Sequence, residues 1–541
     1  MTIKAFVLSV FVFINFNFCV FAGQDVPIIS REGLILPVIN SFPSINGLSA
    51  FLPRFYKNDT SFSNDKSGDD LVFNWLRQNV SSKTGLFLSF YINSEEKEQV
   101  YFEMGDLNSI PGIIERTIVE NGLVIYDGAV GQISLTLSGS SSDMRIAERP
   151  LDIYWRGELN DLTNIRAGFS NTNFIYDPLN PEQVSSDLNS FGKRGYIFRI
   201  INANGDYLSP DPLDGKTSFE GFPTWPEIHW EDWKPVSGEN AWVVMAAMRI
   251  YHIKYFDNFS QKYQLKSESI ELQLSEEIAR AALMLQSEIG GIRMAPIGTF
   301  RENDPEEASG ENSWWYNQIS TENNLSWYAA FRMLYKVTGK DIYHRAMIKQ
   351  EAYFQRVFNA TDRSFYQGMN WKDGIWRVSD SDFAVDVQTW GILSLGAQRM
   401  DLWFGEGAAY TAWKKVKDYS ATWDVSGRIV GVGYTKETGR VSVEWTAGAI
   451  MAARAIAEYY QDKHPDWGQE CRRDADEMRA GMELLRRDIS ADMSAYSYSS
   501  KRGWIPFGWN SHDPRVMSLA STGWILFVDR AFNPFFIDGN K

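Results

Sequence analysis

Four acidic residues stand at the starts of apolar stretches of helical length, which points to one shared site. Small and apolar residues follow each of them, as in residues 127–132 (DGAVGQ) and 386–393 (DVQTWGIL). Cleavage of a glycosidic bond needs one protonated carboxylic acid and one ionised carboxylate. Carboxylates that crowd one cavity repel each other, and this raises the pKa of at least one. The four candidates are Asp127, Glu322, Asp386 and Glu444.

The neighbouring residues indicate which carboxyl group is the general acid. Glu322 is the first choice, because the amides of Asn323 and Asn324 follow it and could hold sugar hydroxyls or a water. Glu444 is the alternative acid, because it precedes Trp445, and a carboxylate against an aromatic ring has a raised pKa.

The base is either Asp386 or Asp382, which lies in the loop just before it. Each of these acids also has a structural explanation, since Asp is a good N-cap and an acid in the first turn complements the helix dipole. Capping alone explains the recurrence less well. Ser, Thr or Asn would cap equally well without bringing charge to a shared cavity.

Tryptophans and amides supply the candidate substrate-binding residues. A tryptophan ring offers a flat apolar face for a pyranose, and large apolar groups in loops usually mark binding. His512 is included, although a histidine held by a neighbouring carboxylate explains it more simply. Nine tryptophans fall in predicted loops: Trp225, Trp230, Trp233, Trp314, Trp315, Trp371, Trp376, Trp504 and Trp509. The binding set is Asn240, Asn323, Asn324, Gln388, Trp230, Trp233, Trp315, Trp445, Trp509 and His512.

These residues require elements that bring distant parts of the chain together. Six apolar, small-residue-rich segments begin at 127, 240, 322, 386, 444 and 521, each with a polar residue first. Amphipathic segments lie between them, at 149–162, 267–287, 341–358, 408–419 and 468–489. Six buried helices alternating with six half-exposed ones predict an all-α (α/α)6 toroid of helical hairpins. Four tryptophans inside the apolar segments are assigned to the core: Trp242, Trp327, Trp390 and Trp524.

The chain ends and interruptions suggest the domain limits. Lys4, an apolar run and the residues Val20, Phe21 and Ala22 are typical of a secretory signal cleaved after Ala22, with a retained membrane anchor as the alternative. Residues 23–65 are predicted to be an irregular or strand-containing lead-in, and residues 66–541 the toroid. Residues 164–235 interrupt the helical rhythm, and a loop this long is usually functional.

Composition restricts the partners. The 541 residues carry a net charge of −15, which becomes −16 without the signal and its one lysine, so nucleic acid and anionic membranes are disfavoured. Of two cysteines only Cys471 remains after cleavage, so an internal disulfide and a cysteine-based metal site are excluded. No cofactor or metal is expected, and the protein is expected to be a monomer that is not integral to the membrane.

The chain resembles the six-hairpin glycosidase superfamily over roughly residues 66–540. The most specific stretches are 320–324 (STENN), 383–390 (FAVDVQTW), 443–448 (VEWTAG) and 533–535 (NPF), which look like motifs of an uncharacterised bacterial branch. The resemblance implies an active site in the loops that lead into the inner helices. It also implies an inverting hydrolase.

The function expected from the sequence is an exported glycoside hydrolase that cleaves a poly- or oligosaccharide by inversion. One alternative is a catalytically silent protein that binds a glycan or assembles envelope polysaccharide. Another is a polysaccharide lyase, for which Asn323, Tyr328 and Arg293 are available, or an epimerase. Epimerases on similar toroids rely on paired histidines, and five histidines in the whole chain give thin support.

Overall fold

The computed structural model describes residues 66–104, 110–156, 196–197, 199–204, 236–295, 315–379, 382–507 and 509–539. The predicted signal, the lead-in and most of the predicted insertion lie outside these ranges and stay predictions. Within the described ranges the chain is mostly helical. The helices are α1 (Lys66–Gln78), α2 (Lys97–Glu103), α3 (Ile110–Asn121), α4 (Ile125–Thr136), α5 (Ser141–Arg156), α6 (Ser237–Tyr255), α7 (Ile270–Met284), α8 (Thr321–Thr338), α9 (Asp341–Arg356), α10 (Val385–Leu395), α11 (Ala397–Phe404), α12 (Ala408–Ser420), α13 (Val443–Tyr460), α14 (Pro465–Glu483) and α15 (Leu519–Asp529).

Six helices form a closed inner ring. In order around the ring they are α4, α6, α8, α10, α13 and α15, and α15 packs back against α4. Nearly every residue of α10 and α15 is buried, as expected for helices that are apolar on all sides. The predicted (α/α)6 toroid is therefore confirmed.

The outer helices are α1, α5, α7, α9, α12 and α14. Each of the last five packs against an inner helix, and α1 joins α5 through the ion pair between Arg77 and Asp143. On α9 the buried residues Tyr343, Ala346 and Gln350 mark one face, which is the amphipathic pattern of a half-exposed helix. The predicted bounds hold within a few residues except for α5, which begins eight residues before the predicted Arg149 and contains Pro150.

Short antiparallel strands occupy the connections between helices. The ladders that bring distant segments together are β1 with β17, β2 with β3, and β6 with β9 and β10, whereas the other pairs are sequential hairpins. The strands are β1 (Phe90–Tyr91), β2 (Gly122–Val124), β3 (Ile200–Asn202), β4 (Phe256–Asp257), β5 (Lys262–Tyr263), β6 (Gln318–Ser320), β7 (Phe358–Asn359), β8 (Ser364–Phe365), β9 (Gly368–Lys372), β10 (Ile375–Val378), β11 (Ala421–Trp423), β12 (Ile429–Val432), β13 (Arg486–Ser490), β14 (Met493–Tyr496), β15 (Gly503–Ile505), β16 (Trp509–Ser511) and β17 (Met517–Ser518).

A sixfold ring of backbone hydrogen bonds closes the end of the toroid at which the inner helices begin. The first N–H of each inner helix donates to a carbonyl in the connection that leads to the next inner helix, so the otherwise unpaired first-turn donors are satisfied. The six donor–acceptor pairs are Ile125–Arg199, Ser237–Met294, Thr321–Gln367, Val385–Tyr434, Val443–Tyr498 and Leu519–Ser89. We call this end of the toroid the mouth.

Aromatic side chains fill the centre of the ring. Trp242, Trp390 and Trp524 come from three different inner helices, with ring centroids 5.4–5.8 Å apart, and all are buried. Phe535 packs against Trp242 and Trp390 from the C-terminal segment. The assignment of these tryptophans, and of Trp327, to the core is confirmed.

Arginines at the ends of inner helices hold that C-terminal segment across the end opposite the mouth. Arg249 donates to the carbonyl of Ile537, and Arg332 donates to the carbonyl of Phe535. In the described ranges no helix is both long enough and apolar enough to span a bilayer.

Candidate functional site at the mouth of the toroid

Five of the six inner helices carry a carboxylate in the first turn, and the sixth, α15, carries none there. Because the six helices begin at the mouth, the carboxylates converge, and their charges act on one another. The five carboxylates, here called the acid ring, are Asp127, Glu239, Glu322, Asp386 and Glu444. Four of them are the residues predicted from the sequence.

Glu322 lies electrostatically at the centre of the acid ring. Burial raises its pKa well above the ordinary value, and repulsion from Asp386, Glu239 and Glu444 raises it further. Unlike Asp386 and Glu444, which are 5% and 6% exposed, Glu322 keeps an accessible part of its surface. A carboxyl group with a raised pKa and an accessible surface has the properties of a general acid.

Burial also raises the pKa of three other carboxyl groups of the acid ring, those of Asp127, Asp386 and Glu444. The pKa of Glu444 rises to about 8, and a hydrogen bond from Tyr126 opposes the shift. The pKa of Asp127 rises to about 7, opposed by a hydrogen bond from Ser89. For Asp386 the pKa is also raised by burial, while the backbone N–H of Val387, 2.7 Å from Oδ1, favours its ionised form.

A hydrogen-bond chain fixes Glu444. The indole N–H of Trp524 donates to Tyr126 Oη at 2.7 Å, and the Tyr126 hydroxyl donates to Oε1 of Glu444. Trp524 belongs to the packed centre of the toroid, so the position of this carboxylate is tied to the rigid core. The pKa of the Tyr126 hydroxyl is raised well above its usual value by burial and by Glu444, so it stays a donor.

Four of the six residues whose carbonyls accept in the sixfold backbone ring also interact with the acid ring through their side chains. Arg199, next to β3, forms an ion pair with Glu239 at 2.9 Å. Ser89 forms a hydrogen bond with Asp127. Burial raises the pKa of the Tyr434 and Tyr498 hydroxyls, and the charge of Glu444 raises it further. This second ring could not be predicted from the sequence, because its members share a position in the fold and not a residue type.

Three predicted binding amides have a different role. Asn240, Asn324 and Gln388 are fully buried, and each amide oxygen accepts from a backbone N–H while the amide nitrogen donates to the carbonyl of the same residue. Their partners lie in the connections that lead to their own helices. The prediction that they bind substrate is wrong, because none of these polar groups is free for a ligand.

This contact recurs at one position, four residues after the N-cap of the inner helix. Thr446 and Thr522 occupy it on α13 and α15 and bond to Val432 and Tyr496. On α4 the position is Gly128. We call this contact the loop clamp. Its position is constant relative to the observed N-caps but lies zero to two residues after the predicted helix starts, so the predicted starts did not reveal it.

Two further predicted polar residues, Asn323 and Asp382, lie in different surroundings. Asn323 is 4% exposed and packs against Gly238 of the neighbouring inner helix, with its amide 3.4 Å from Ser237 Oγ. Asp382 is exposed in the loop before α10 and is not part of the acid ring. The first-turn acid of α6, Glu239, was missed although it directly precedes Asn240.

Aromatic residues line the mouth beside Glu444. Trp445 is 5% exposed and stacks on Phe507, with centroids 5.8 Å apart and an interplanar angle of 24°. The next ring, Trp509, is half-buried and donates from Nε1 to Tyr498 Oη at 2.7 Å. Trp504, on the same β15–β16 hairpin, is 46% exposed. Trp445, Phe507 and Trp509 form a continuous row of contacting rings that begins next to Glu444, here called the ring wall.

The other predicted tryptophans are dispersed. Trp315 is half-buried next to β6, and Trp371 is half-buried on β9. Trp376 is buried and donates to Glu288, so it is structural. Trp225, Trp230, Trp233 and Trp314 lie outside the described residues, and their roles stay predictions.

His512 is held by a carboxylate, as its simpler explanation requires. Its Nδ1 lies 3.0 Å from Glu115 Oε1, and Arg502 contacts the other oxygen of that carboxylate at 2.7 Å. The imidazole is 7% exposed and packs on Phe90. The prediction that His512 binds substrate is therefore not supported, because both sides of the ring are occupied.

The residues considered for a lyase are not brought together. Tyr328 donates to Glu351 of α9 and so turns away from the mouth. Arg293 packs between the rings of Tyr316 and Trp376. Among the described residues, no group of three or more His, Cys, Asp or Glu is arranged to hold a metal ion.

Comparison with known proteins identifies the architecture. No protein-family profile matches the chain, and no curated protein matches it. The structure is similar to that of a sugar epimerase from a ruminal bacterium, with a TM-score of 0.50 and 10% sequence identity, over 86% of this chain and 98% of that protein. The chain shares the (α/α)6 toroid fold of this protein. A D-mannose isomerase matches equally, with a TM-score of 0.50 and 10% identity over 88% of this chain and 100% of that one. Likeness at this identity concerns the fold alone.

Proposed function

We propose that the protein is a carbohydrate-active enzyme that hydrolyses a glycosidic bond, with Glu322 as general acid and Asp386 as general base. The observation that carries the proposal is the acid ring at the mouth of the toroid. It combines Glu322, whose pKa is raised well above the ordinary value, with Asp386, whose pKa of about 7 gives an ionised fraction at neutral pH that the backbone N–H of Val387 favours. Glycoside hydrolysis requires one protonated and one ionised carboxyl group.

The proposed reaction is a single inverting displacement. Glu322 gives its proton to the glycosidic oxygen, and the bond from that oxygen to the anomeric carbon breaks with its electron pair going to the oxygen. Asp386 takes a proton from a water molecule, whose oxygen bonds to the anomeric carbon from the opposite face. Exchange with solvent then returns the proton to Glu322 and removes it from Asp386. The ring wall of Trp445, Phe507 and Trp509 would stack the sugar beside the acid ring.

The distribution of histidine favours hydrolysis over epimerisation. His252 lies in the last turn of α6, His464 is the N-cap residue of outer helix α14, and His344 lies on outer helix α9, all remote from the acid ring. His512 is engaged with Glu115. In the part of the chain that the structure describes, carboxylates and not histidines fill the cavity.

We also propose export after cleavage behind Ala22, and action as a monomer on an extracellular or periplasmic poly- or oligosaccharide. The basis is the amino-terminal sequence with its apolar run. Edman sequencing of the protein recovered outside the cytoplasm should begin at Gly23.

A substrate screen tests the function. The chain from Gly23 is incubated with neutral and uronic polysaccharides, and new reducing ends are measured for the wild type, Glu322→Gln and the control Glu268→Gln. Glu268 is an exposed acid before outer helix α7 and suits the control because its loss changes charge alone. Release by the wild type and the control, but not by Glu322→Gln, is expected.

Each of the other outcomes has a defined meaning. A product that absorbs as an unsaturated uronate would replace the hydrolase by a lyase. A changed monosaccharide configuration without new reducing ends would replace it by an epimerase. Binding without turnover, unaffected by Glu322→Gln, would indicate a silent glycan-binding protein.

A further inference from the structure

A groove of about 660 Å³ lies at the end of the toroid opposite the mouth. Its residues come from the last turns of α6 and α8, the β4–β5 hairpin and the C-terminal segment. On helix α6, His252 of the groove lies thirteen positions after Glu239 of the acid ring. At 1.5 Å per residue this is a distance of about 20 Å. The groove is therefore a separate feature and not an extension of the mouth.

Three aromatic rings form one wall of this groove. His252 stacks on Phe256 with centroids 4.7 Å apart, and Phe256 packs against Tyr263 at 4.9 Å. The Tyr263 hydroxyl lies 2.9 Å from His252 Nδ1, which locks the two rings together. Burial lowers the pKa of His252 to about 4, so the ring is neutral and the wall is uncharged at neutral pH. All three rings are half-buried, so part of each faces the groove.

The opposite rim is polar and offers donors beside acceptors. Lys336 Nζ lies 2.9 Å from Asp538 Oδ2, and their side chains are 45% and 33% exposed. An ammonium next to a carboxylate can meet two adjacent sugar hydroxyls, one as acceptor and one as donor. Asn258 adds an exposed amide from the hairpin turn. Lys262, exposed on β5, adds a second ammonium. An aromatic wall facing a rim of hydrogen-bonding groups matches a pyranose, which has apolar faces and a polar edge.

The tip of the hairpin extends the aromatic surface. Phe259 is 98% exposed, and Asp257 fixes its position by accepting from its backbone N–H at 2.9 Å and from Ser260 Oγ at 2.7 Å. A fully exposed phenylalanine on a braced turn is characteristic of a contact surface, because exposure of a ring this large is otherwise unfavourable.

We propose that this groove is a second, non-catalytic binding site for a neutral saccharide chain. It would hold a polysaccharide on the face opposite the mouth and so raise the local concentration of substrate. The inference goes beyond the hydrolytic activity, since none of the groove residues belongs to the acid ring.

The test is native electrophoresis through gels that contain galactomannan, xylan, laminarin or dextran. All proteins carry Glu322→Gln to prevent cleavage. Lys336→Met removes the rim ammonium, and Phe259→Ala removes the exposed ring. The matched control is Lys340→Met, a lysine on the same surface that is 53% exposed and paired with Glu276. The control should be retarded by at least one polymer, and Lys336→Met should weaken the apparent dissociation constant about tenfold, as for loss of one charge-assisted hydrogen bond.

Two results would overturn the proposal. One is equal retardation of Lys336→Met, Phe259→Ala and the Lys340→Met control in every gel. The other is the absence of retardation of the control by all four polymers. Neither result bears on the acid ring, whose role is decided by turnover.

Discussion

Glu322 lies among four other carboxylates in a closed helical ring, and its properties follow from that position. Desolvation disfavours its charge, and each neighbouring carboxylate adds repulsion. The one cation next to the acid ring in the described ranges, Arg199, lowers the pKa of Glu322 but is itself paired with Glu239. At the scale of single residues, the surroundings of the acid ring therefore favour the protonated form of its carboxyl groups.

The raised pKa values predict that the free energy of unfolding falls as pH rises. The pKa of Asp127 is about 7 when folded and 3.8 as the reference value. Between these values the unfolded chain releases the proton and the folded chain keeps it, so the free energy of unfolding falls with pH by roughly 1.4 kcal/mol per unit for this group. In Asp127→Asn, the loss of stability between pH 5 and pH 8, measured by urea unfolding, should be smaller than in the wild type by about 2–3 kcal/mol.

The exposed Asp382 provides the control for that experiment. Asp382→Asn should leave the difference between pH 5 and pH 8 unchanged. An equal loss of stability in the wild type and in Asp127→Asn would show that Asp127 is not protonated in the folded protein at neutral pH.

At the scale of elements, the helical rotation between positions points the polar side chains of an inner helix in two different directions. On α8, α10 and α13 the acid lies two residues after the N-cap, and the clamp lies four residues after it. Two residues rotate the helix by about 200°, so the acid faces the cavity and the clamp faces the preceding connection. The acid-ring and clamp residues therefore point in nearly opposite directions although they are close in sequence.

This geometry explains which site residues could be predicted from the sequence. The pattern placed Asp127, Glu322, Asp386 and Glu444 in the first turns of inner helices, as the structure does, because an approximate helix start is enough for that. It did not distinguish Asn324 from a ligand-binding amide, because the exact helix start decides the direction of each side chain. Contacts such as that of Arg199 could not be predicted, since they depend on which distant connection lies beside each helix.

The clamp should contribute strongly to stability. Asn324→Ala would leave the buried N–H and carbonyl of Ile292, now bonded at 2.7 and 3.0 Å, without partners. We expect the free energy of unfolding to fall by roughly 2–4 kcal/mol, measured with urea. Asn258→Ala, at an exposed turn, should change it by less than about 0.5 kcal/mol. Equal effects of the two substitutions would contradict the clamp.

At the scale of the whole molecule, the described part of the toroid is filled behind the acid ring. Trp242, Trp390 and Trp524 pack below the acid ring, and Phe535 of the C-terminal segment packs against all three. The architecture was predictable because six apolar segments alternate with amphipathic ones. The sixfold backbone ring was not, because its hydrogen bonds involve no particular residue type.

The packing of Phe535 against the three tryptophans predicts a large effect on stability far from the acid ring. Phe535→Ala would open a cavity at a fully buried site, and we expect a loss of about 3–5 kcal/mol. The melting temperature of this variant should fall well below that of Phe259→Ala, which removes a ring that is 98% exposed. Similar melting temperatures for the two variants would mean that the C-terminal segment does not seal the toroid.

The most direct test of the central claim compares Glu322→Gln with the wild type on two glycosides of the same sugar. One has the natural leaving group, and the other has 2,4-dinitrophenolate, which departs without being protonated. If Glu322 is the general acid, kcat should fall by at least about 100-fold on the natural glycoside and stay near the wild-type value on the activated one, whereas Asp386→Asn should lose activity on both. An equal loss on both glycosides, or no loss on the natural one, would contradict the assignment of Glu322 as the acid.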